Sequence, residues 1–178
     1  MSSYPYLMAQ LPELRFSDRE FPACQEFIEQ AECWLSEDEL TILKSADLND
    51  CTATEHTFEF LREWSEFMFN MRHDLANYRE SHRLGHDHKT HMFPTSWVKD
   101  ENPLVAELKI MEFQWEFLAE RKHVHHDDLH AIVIYCLQLQ ILERVASFSK
   151  ELGRSRFDEL ADIKPLDINL EGYRWQTS

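Results

Sequence analysis

Glycine is scarce in this chain, and its scarcity constrains the fold more than any other feature of the sequence. Only three glycines occur among 178 residues, at positions 85, 153 and 172. Apolar residues recur at spacings of three and four almost throughout, which is the period of a helix packed on one side. We therefore expect an all-α protein, an elongated helical bundle of four principal helices with short helices at its ends.

The chain length predicts one domain. At 178 residues the chain is long enough to bury a core without disulfides. We expect a single helical domain over residues 1–164 and a C-terminal tail over residues 165–178, because Pro165 ends regular structure. Tyr173 and Trp175 lie on no helical stripe in that tail, and exposed aromatic residues often mark docking sites.

Capping residues predict where the first helices begin and end. The first helix is expected from residue 21 or 22 to residue 35, and Ser36–Glu39 forms a capping box for a short second helix. Thr52–Glu55 repeats the capping pattern before a long helix of about thirty residues that ends at Gly85. A wide apolar arc on that long helix predicts extensive burial.

The second half of the chain is predicted in the same way. Residues 86–101 show no helical period and are expected to form a connection. Asn102 and Pro103 supply an N-cap and a first-turn proline for the next helix. The helix from residue 127 or 128 to residue 152 is apolar nearly all round, which predicts the most buried helix, and 155–158 caps one last short helix.

The charge excludes one class of partner and suggests another. The chain has 18 basic and 33 acidic side chains, a net charge of −15, which repels nucleic acid and anionic lipid headgroups. Residues 1–50 contain 11 acidic and 3 basic side chains, a net charge of −8. We therefore expect no nucleic-acid partner and, if a basic protein docks, we expect it on this segment.

Cysteine usage and hydropathy predict a cytoplasmic location. Cys24, Cys33, Cys51 and Cys136 form no C-x-x-C pair, which favours reduced thiols. No run of about 18 apolar residues is present, so we expect no direct membrane insertion. The apolar stretch Tyr4–Pro12 lacks the basic region of a signal peptide. We expect it to lie across the bundle, with Leu7 and Leu11 buried against the helix centred near Leu139.

Eight of the ten histidines lie in two blocks, and these could bind metal. His126 and His130 are four residues apart, a spacing that places both rings on one helix face. The pairs His86-Asp87 and His126-Asp127 resemble the histidine-aspartate dyad of all-helical metal phosphohydrolases. Solvated loop histidines are the favoured interpretation, and a metal site or a pH sensor stays open. The blocks are His82, His86, His88 and His91, then His123, His125, His126 and His130.

Other chemistry finds little support in the sequence. Glutamates at helical spacing, such as Glu59, Glu63 and Glu66, or Glu112 and Glu116, alternate with basic residues and are expected on a solvated face. No G-x-S-x-G motif and no glycine-rich phosphate loop is present. We expect no catalytic residue, no cofactor and no bound metal. The alternative is a metal-dependent, phosphohydrolase-like hydrolase that uses the two histidine blocks.

Several segments of the sequence together resemble one known family. The N-terminal stretch 4–18 reads YPYLMAQLPELRFSD. The second half contains NPLVAE at 102–107, WEFL at 115–118, YCLQLQILER at 135–144, ELG at 151–153 and FDEL at 157–160. These segments are similar to an uncharacterised bacterial family that is encoded in V-type ATP synthase operons, and the stretch 4–18 resembles the opening of that family.

The resemblance implies a function without an active site. That family is remotely similar to the C/d subunit of V-type ATPases, which is all-helical and lies between the membrane rotor ring and the central shaft. The resemblance therefore implies a non-catalytic subunit or assembly factor of an ion-translocating ATPase. Its partners would be V-type ATPase subunits of the shaft or ring. Its location would be cytoplasmic, peripheral to the inner face of the membrane.

Overall fold

The computed structural model describes residues 4–52, 56–86, 88–99, 102–125 and 128–148. Within these ranges the protein forms six α-helices and one short 3₁₀ helix and contains no β-strand, so the all-α prediction is confirmed. The α-helices are α1 (Tyr4–Gln10), α2 (Cys24–Ala31), α3 (Glu37–Lys44), α4 (Glu59–Arg83), α5 (Pro103–Lys122) and α6 (Leu129–Ser147).

The chain divides into two compact units, Met1–Ala146 and Ser147–Ser178. The first unit contains α1 to α5 and all of α6 except its last residue. Of the second unit the structure describes Ser147 and Phe148 alone. The predicted boundary at 164/165, the short helix capped by 155–158, the stop at Gly153 and the tail residues Tyr173 and Trp175 lie outside the described residues.

Helix α6 is the most buried helix that the structure describes, as its sequence predicts. Every residue from Ala131 to Leu139 is buried, and so are Ile141 and Leu142. By length and composition α6 could also cross a membrane, contrary to the expectation from sequence, since an 18-residue window has a mean hydropathy of 1.3. However, 61% of that window is buried inside the protein, as is typical of the core helix of a soluble domain.

The N-terminal stretch packs on the core, and part of it is helical. The sequence did not predict α1, a seven-residue helix that is too short to be stable alone. Leu7 is fully buried as expected, whereas Leu11 is only half-buried and Leu14 occupies the core instead. The Tyr135 hydroxyl of α6 donates to the Pro12 carbonyl at 3.2 Å. This bond fixes the stretch against the predicted helix.

Two of the predicted helix starts are confirmed. The Ser36 hydroxyl accepts from the Glu39 amide, and the Glu39 carboxylate accepts from the Ser36 amide at 2.8 Å, which completes the capping box. The Asn102 side chain accepts from the Leu104 amide at 3.0 Å, with Pro103 in the first turn of α5. In both helices a side chain satisfies amides that the first turn leaves unpaired.

Two other boundaries differ from the prediction. Helix α4 begins at Glu59 rather than near Thr52, because the Thr52 amide and hydroxyl bond the Asp50 carboxylate and not a helix terminus. Residues 53–55 of the predicted cap lie outside the described residues. Helix α2 spans only Cys24–Ala31, and the amides of Trp34 and Leu35 both bond the Ala31 carbonyl in the turn that follows it. Helix α4 ends as predicted, with Gly85 at a φ of +74°.

Candidate metal-binding clusters

The structure assembles each histidine block around an aspartate. Asp74 of α4 joins His88 and His91, and Asp128 joins His125 and His130. In each group, one potential ligand atom per residue lies within 4.8 Å of the others. We call them the Asp74 cluster and the Asp128 cluster. Two imidazoles and one carboxylate form a ligand set that suits a divalent transition metal.

The two clusters lie far apart, so the histidine blocks do not share one centre. The His130 ring packs on Phe58 and Phe60 at the N-terminal end of α4, with ring centroids 4.6 and 6.2 Å away. Asp74 follows Phe60 along the same helix by roughly 21 Å, at 1.5 Å per residue. No single ion can bind both clusters across that distance.

In the Asp74 cluster one side of the carboxylate is already held by the backbone. Asp74 Oδ2 accepts from the His91 amide at 2.6 Å and from the Met92 amide at 3.0 Å. Its other oxygen, Oδ1, lies 3.9 Å from His88 Nε2, which is too long for a hydrogen bond. His88 Nε2 is buried and has no hydrogen-bond partner among the described residues.

A surface cleft of about 590 Å³ adjoins this cluster. Its lining includes His82, His86 and His88, together with Arg79 and Lys99. His82 and His86 are exposed, and His91 is exposed at the edge of the Asp74 cluster. Four histidines of the first block therefore gather near the C-terminal end of α4. Asp87, which the dyad interpretation requires, lies outside the described residues.

The Asp128 cluster is explained by helix capping. Asp128 Oδ1 accepts from the Ala131 amide at 3.0 Å, and Asp128 Oδ2 bonds His125 Nδ1 at 2.6 Å. The His125 and His130 rings stack, with centroids 4.2 Å apart. Burial alone would raise the pKa of Asp128, but the bonds from Ala131 and His125 outweigh it and lower that pKa. His123 is exposed, and His126 and Asp127 lie outside the described residues.

A third polar cluster was not predicted from the sequence. Asp50 bonds His56 and accepts from the Ser65 hydroxyl at 3.0 Å. Burial acts to raise the pKa of Asp50, and the bonds from Thr52, His56 and Ser65 hold it well below its usual range. The Ser65 hydroxyl bonds the carboxylate rather than the imidazole, and Ser65 is fully buried. This arrangement lacks the serine-to-histidine bond of a nucleophilic triad.

The glutamate rows lie where the sequence predicts. Glu59, Glu63, Glu66, Glu112 and Glu116 are all exposed. Glu63 forms an ion pair with Arg121 of α5, with Oε1 2.9 Å from the arginine Nε. These carboxylates form a solvated surface and do not converge on an inward-facing site.

Asp74 belongs to no sequence motif, but its position in the sequence could have identified it as a functional residue. Asp74 lies three residues after Met71 and four before Tyr78, both buried on the apolar stripe of α4. A charged side chain on that stripe requires a specific partner, because burial without one is costly. Its partner segment, 88–92, follows the end of the helix and could not be located from periodicity.

Comparisons with known proteins leave the chain without an assigned family. No protein-family model, no curated protein and no solved structure matches it. The resemblance to the family encoded in V-type ATP synthase operons therefore stays a prediction.

Proposed function

We propose that this chain is a non-catalytic helical subunit or assembly factor of a bacterial V-type ATPase. It would act by protein contact, as a connection like the C/d subunit between the central shaft and the membrane rotor ring. The identity of the partner rests on the resemblance described above. The manner of contact rests on the charge of one surface.

Several of the residues that carry the resemblance occupy core positions. In the N-terminal stretch these are Leu7 and Leu14, and in the second half they include Trp115, Leu118 and most of 135–142. Core positions specify how helices pack and are not ligands of a reaction centre. A resemblance of this kind supports a shared structural role more than shared chemistry.

The structural observation that supports contact with a basic partner is the acidic surface of α2 and α3. Five carboxylates on or between these helices are exposed, and Lys44 is the only basic residue from 24 to 44. Lys44 is already paired with Glu32 at 2.8 Å. Such a surface fits a basic segment of a partner, and the attraction should weaken with salt. The five residues are Glu26, Glu29, Glu32, Glu37 and Asp38.

The proposed location follows from the proposed partner. The chain would be cytoplasmic and peripheral to the inner face of the membrane, held there by the ATPase. Direct insertion is not needed, because α6 buries its apolar surface inside the protein. Nucleic acid is not a proposed partner, since the net charge of −15 opposes it.

The test is salt-dependent co-purification from cells that express the ATPase. We expect the chain to retain V-type ATPase subunits at about 50 mM salt and to lose most of them at about 500 mM, where exposed charges are screened. Charge reversal by Glu29→Lys with Glu32→Lys should weaken retention about tenfold.

The matched control is Glu116→Lys with Glu120→Lys, two exposed glutamates in the second half of α5. This control changes the net charge equally and should retain the ATPase like the unmodified chain. Equal loss in both double variants would show a net-charge effect and no docking on α2 and α3. Recovery of no ATPase component at low salt would refute the proposed partner.

The geometry does not favour the alternative of a hydrolase whose two histidine blocks form one metal centre. The blocks lie at separate places along α4, and each has its own aspartate. Measurement of metal-dependent hydrolysis of a generic phosphomonoester tests that alternative directly. Activity that survives the replacement of His88 alone or of His130 alone, but is lost when both are replaced, would instead support a hydrolase with two separate metal centres.

A further inference from the structure

We propose that Asp74, His88 and His91 bind one divalent transition-metal ion, with Zn²⁺ as the best fit. The ion would tie the connection after α4 to the buried face of that helix. This inference departs from the sequence-based expectation of no bound metal. It does not depend on the proposed ATPase association, because its test uses the chain alone.

The His88 ring contains a buried nitrogen atom. Nε2 of this ring is buried and has no hydrogen-bond partner among the described residues. A buried polar atom without a partner costs free energy, and a bound metal ion is one group that would satisfy it. The nearest charged group is Asp74 Oδ1, at 3.9 Å.

The separation of the two atoms fits a shared ion better than a direct bond. Two ligands that each lie about 2.0–2.1 Å from a tetrahedral Zn²⁺ are roughly 3.3 Å apart. Closing the observed 3.9 Å to that value needs a shift of about 0.6 Å. A direct hydrogen bond would need a closure of about 1 Å, to roughly 2.9 Å. One ring nitrogen of His91, one ring nitrogen of His88 and one carboxylate oxygen of Asp74 all lie within 4.8 Å of one another.

The carboxylate is oriented for this role before any ion binds. The amides of His91 and Met92 both donate to Asp74 Oδ2, so Oδ1 is the oxygen turned toward His88. Metal-binding side chains are generally held by such outer hydrogen bonds, which fix their direction. Asp74 is only 5% exposed, and a nearby cation would offset the free-energy cost of burying its charge.

The ligand set selects the class of ion. Imidazole nitrogen favours Zn²⁺ and its neighbours in the first transition row, whereas Mg²⁺ and Ca²⁺ favour sites made of oxygen alone. Three protein ligands with an exposed histidine at the edge leave a fourth position for water.

The Asp128 cluster is the weaker candidate, although it offers the same residue types. Its carboxylate is shared between the Ala131 amide and His125, so both oxygens already have partners. His130 Nδ1 lies 3.3 Å from the same Oδ2. Its atoms therefore satisfy one another without an ion. No ring nitrogen there is buried without a partner among the residues that the structure describes.

In the experiment, the untagged full chain is first treated with a chelator and then titrated with Zn²⁺. Calorimetry measures the affinity, and native mass spectrometry measures the number of bound ions. We expect one equivalent of Zn²⁺ whose dissociation constant rises by about tenfold or more in His88→Gln and in His91→Gln. The matched control is His82→Gln, in the same block but outside the cluster, and its affinity should be unchanged. His91 is exposed, so His91→Gln is expected to fold even if His88→Gln does not.

A second measurement locates the ion. Zn²⁺ should slow hydrogen exchange at the amides of His91 and Met92, because their acceptor Asp74 becomes fixed, and it should not do so in His91→Gln. Affinity that is unchanged in both cluster variants would overturn the proposal. So would Zn²⁺ binding that is lost in His130→Gln alone, since that result assigns the ion to the Asp128 cluster.

Discussion

The sulfur atoms of Cys24 in α2 and Cys136 in α6 lie 3.5 Å apart in the core, and both are free thiols. Their hydrogen bond has opposite effects on the two groups. It lowers the pKa of Cys24, and together with burial it raises the pKa of Cys136. Either sulfur can act as the donor in this contact, which joins an early helix to the last described helix.

The thiols should differ in reactivity according to burial. We expect iodoacetamide to modify exposed Cys33 first and half-buried Cys51 next. Cys24 and Cys136 should react at least about a hundredfold more slowly than Cys33, because the reagent reaches them only when the core opens. Mass spectrometry of tryptic peptides over time measures these rates. Replacement of Cys33 by Ser should remove the fast phase, and fast labelling of Cys24 in the folded chain would contradict the structure.

Leu7 should contribute strongly to stability although it lies in a very short helix. Its side chain is fully buried, so Leu7→Ala leaves a cavity and should lower the free energy of unfolding by about 2–5 kcal/mol. The matched control is Leu84→Ala, at a leucine that is 58% exposed, with an expected change within about 0.5 kcal/mol. Urea denaturation measures both. Equal stability of Leu7→Ala and the unmodified chain would mean that the N-terminal stretch is a partner-binding peptide.

Two glutamines in α6 should respond in opposite ways to the same substitution. Gln138 is buried, and its Oε1 has no hydrogen-bond partner among the described residues. Gln138→Met should therefore raise the free energy of unfolding by about 1 kcal/mol. Gln140 accepts from the Leu48 amide at 2.8 Å and donates to the Ala46 carbonyl at 2.7 Å.

Gln140→Met should lower the free energy of unfolding by about 1–3 kcal/mol, because it leaves those two backbone groups unpaired in the core. Thermal and urea denaturation of both variants provide the comparison. A stabilised Gln140→Met, or a strongly destabilised Gln138→Met, would show that the hydrogen bonds of this helix are assigned wrongly.

Asp50 should make the protein sensitive to acid. Its pKa in the folded chain lies below the ordinary value of 3.8, so its bonds stabilise the fold fully above that pH and are lost as the pH falls. Asp50→Asn should lower the free energy of unfolding by about 1–3 kcal/mol at pH 7. The difference from the unmodified chain should shrink between about pH 4 and pH 2. Glu112→Gln, at an exposed carboxylate, should show neither effect.

Long apolar stripes and chemical caps made much of the fold predictable. Helices α4, α5 and α6 have 19 to 25 residues, so their period is repeated often enough to be read. Ser36 and Asn102 begin helices because their side chains bond the first amides. Thr52 has the same chemistry but failed as a cap, since Asp50 competes for its hydroxyl and amide. Local sequence does not reveal that competition.

The sites depended on contacts between distant residues, and these could not be predicted. The sequence marks His88 and His91 as neighbours, but their carboxylate comes from Asp74 on the preceding helix. The connection follows the turn at Leu84 and Gly85 and returns along α4, so that the His91 amide reaches Asp74. Likewise, tertiary contacts stabilise α1, and helix propensity alone would not. Its Leu7 is buried in the core, and the Tyr4 hydroxyl bonds Glu39.

The hydrogen bonds that α6 makes to the N-terminal third impose an order on synthesis. Glu143 accepts from the Cys24 amide, Gln140 bonds the backbone of Ala46 and Leu48, and Tyr135 donates to the Pro12 carbonyl. These bonds span 92 to 123 residues of sequence. A ribosome that adds about 5–20 residues per second needs roughly 6–25 s to reach α6 from the start. During that time the first three helices lack the surface on which they pack. A chain terminated before Leu129 should therefore be aggregation-prone, and we expect a nascent chain to need protection by chaperones until α6 has left the exit tunnel.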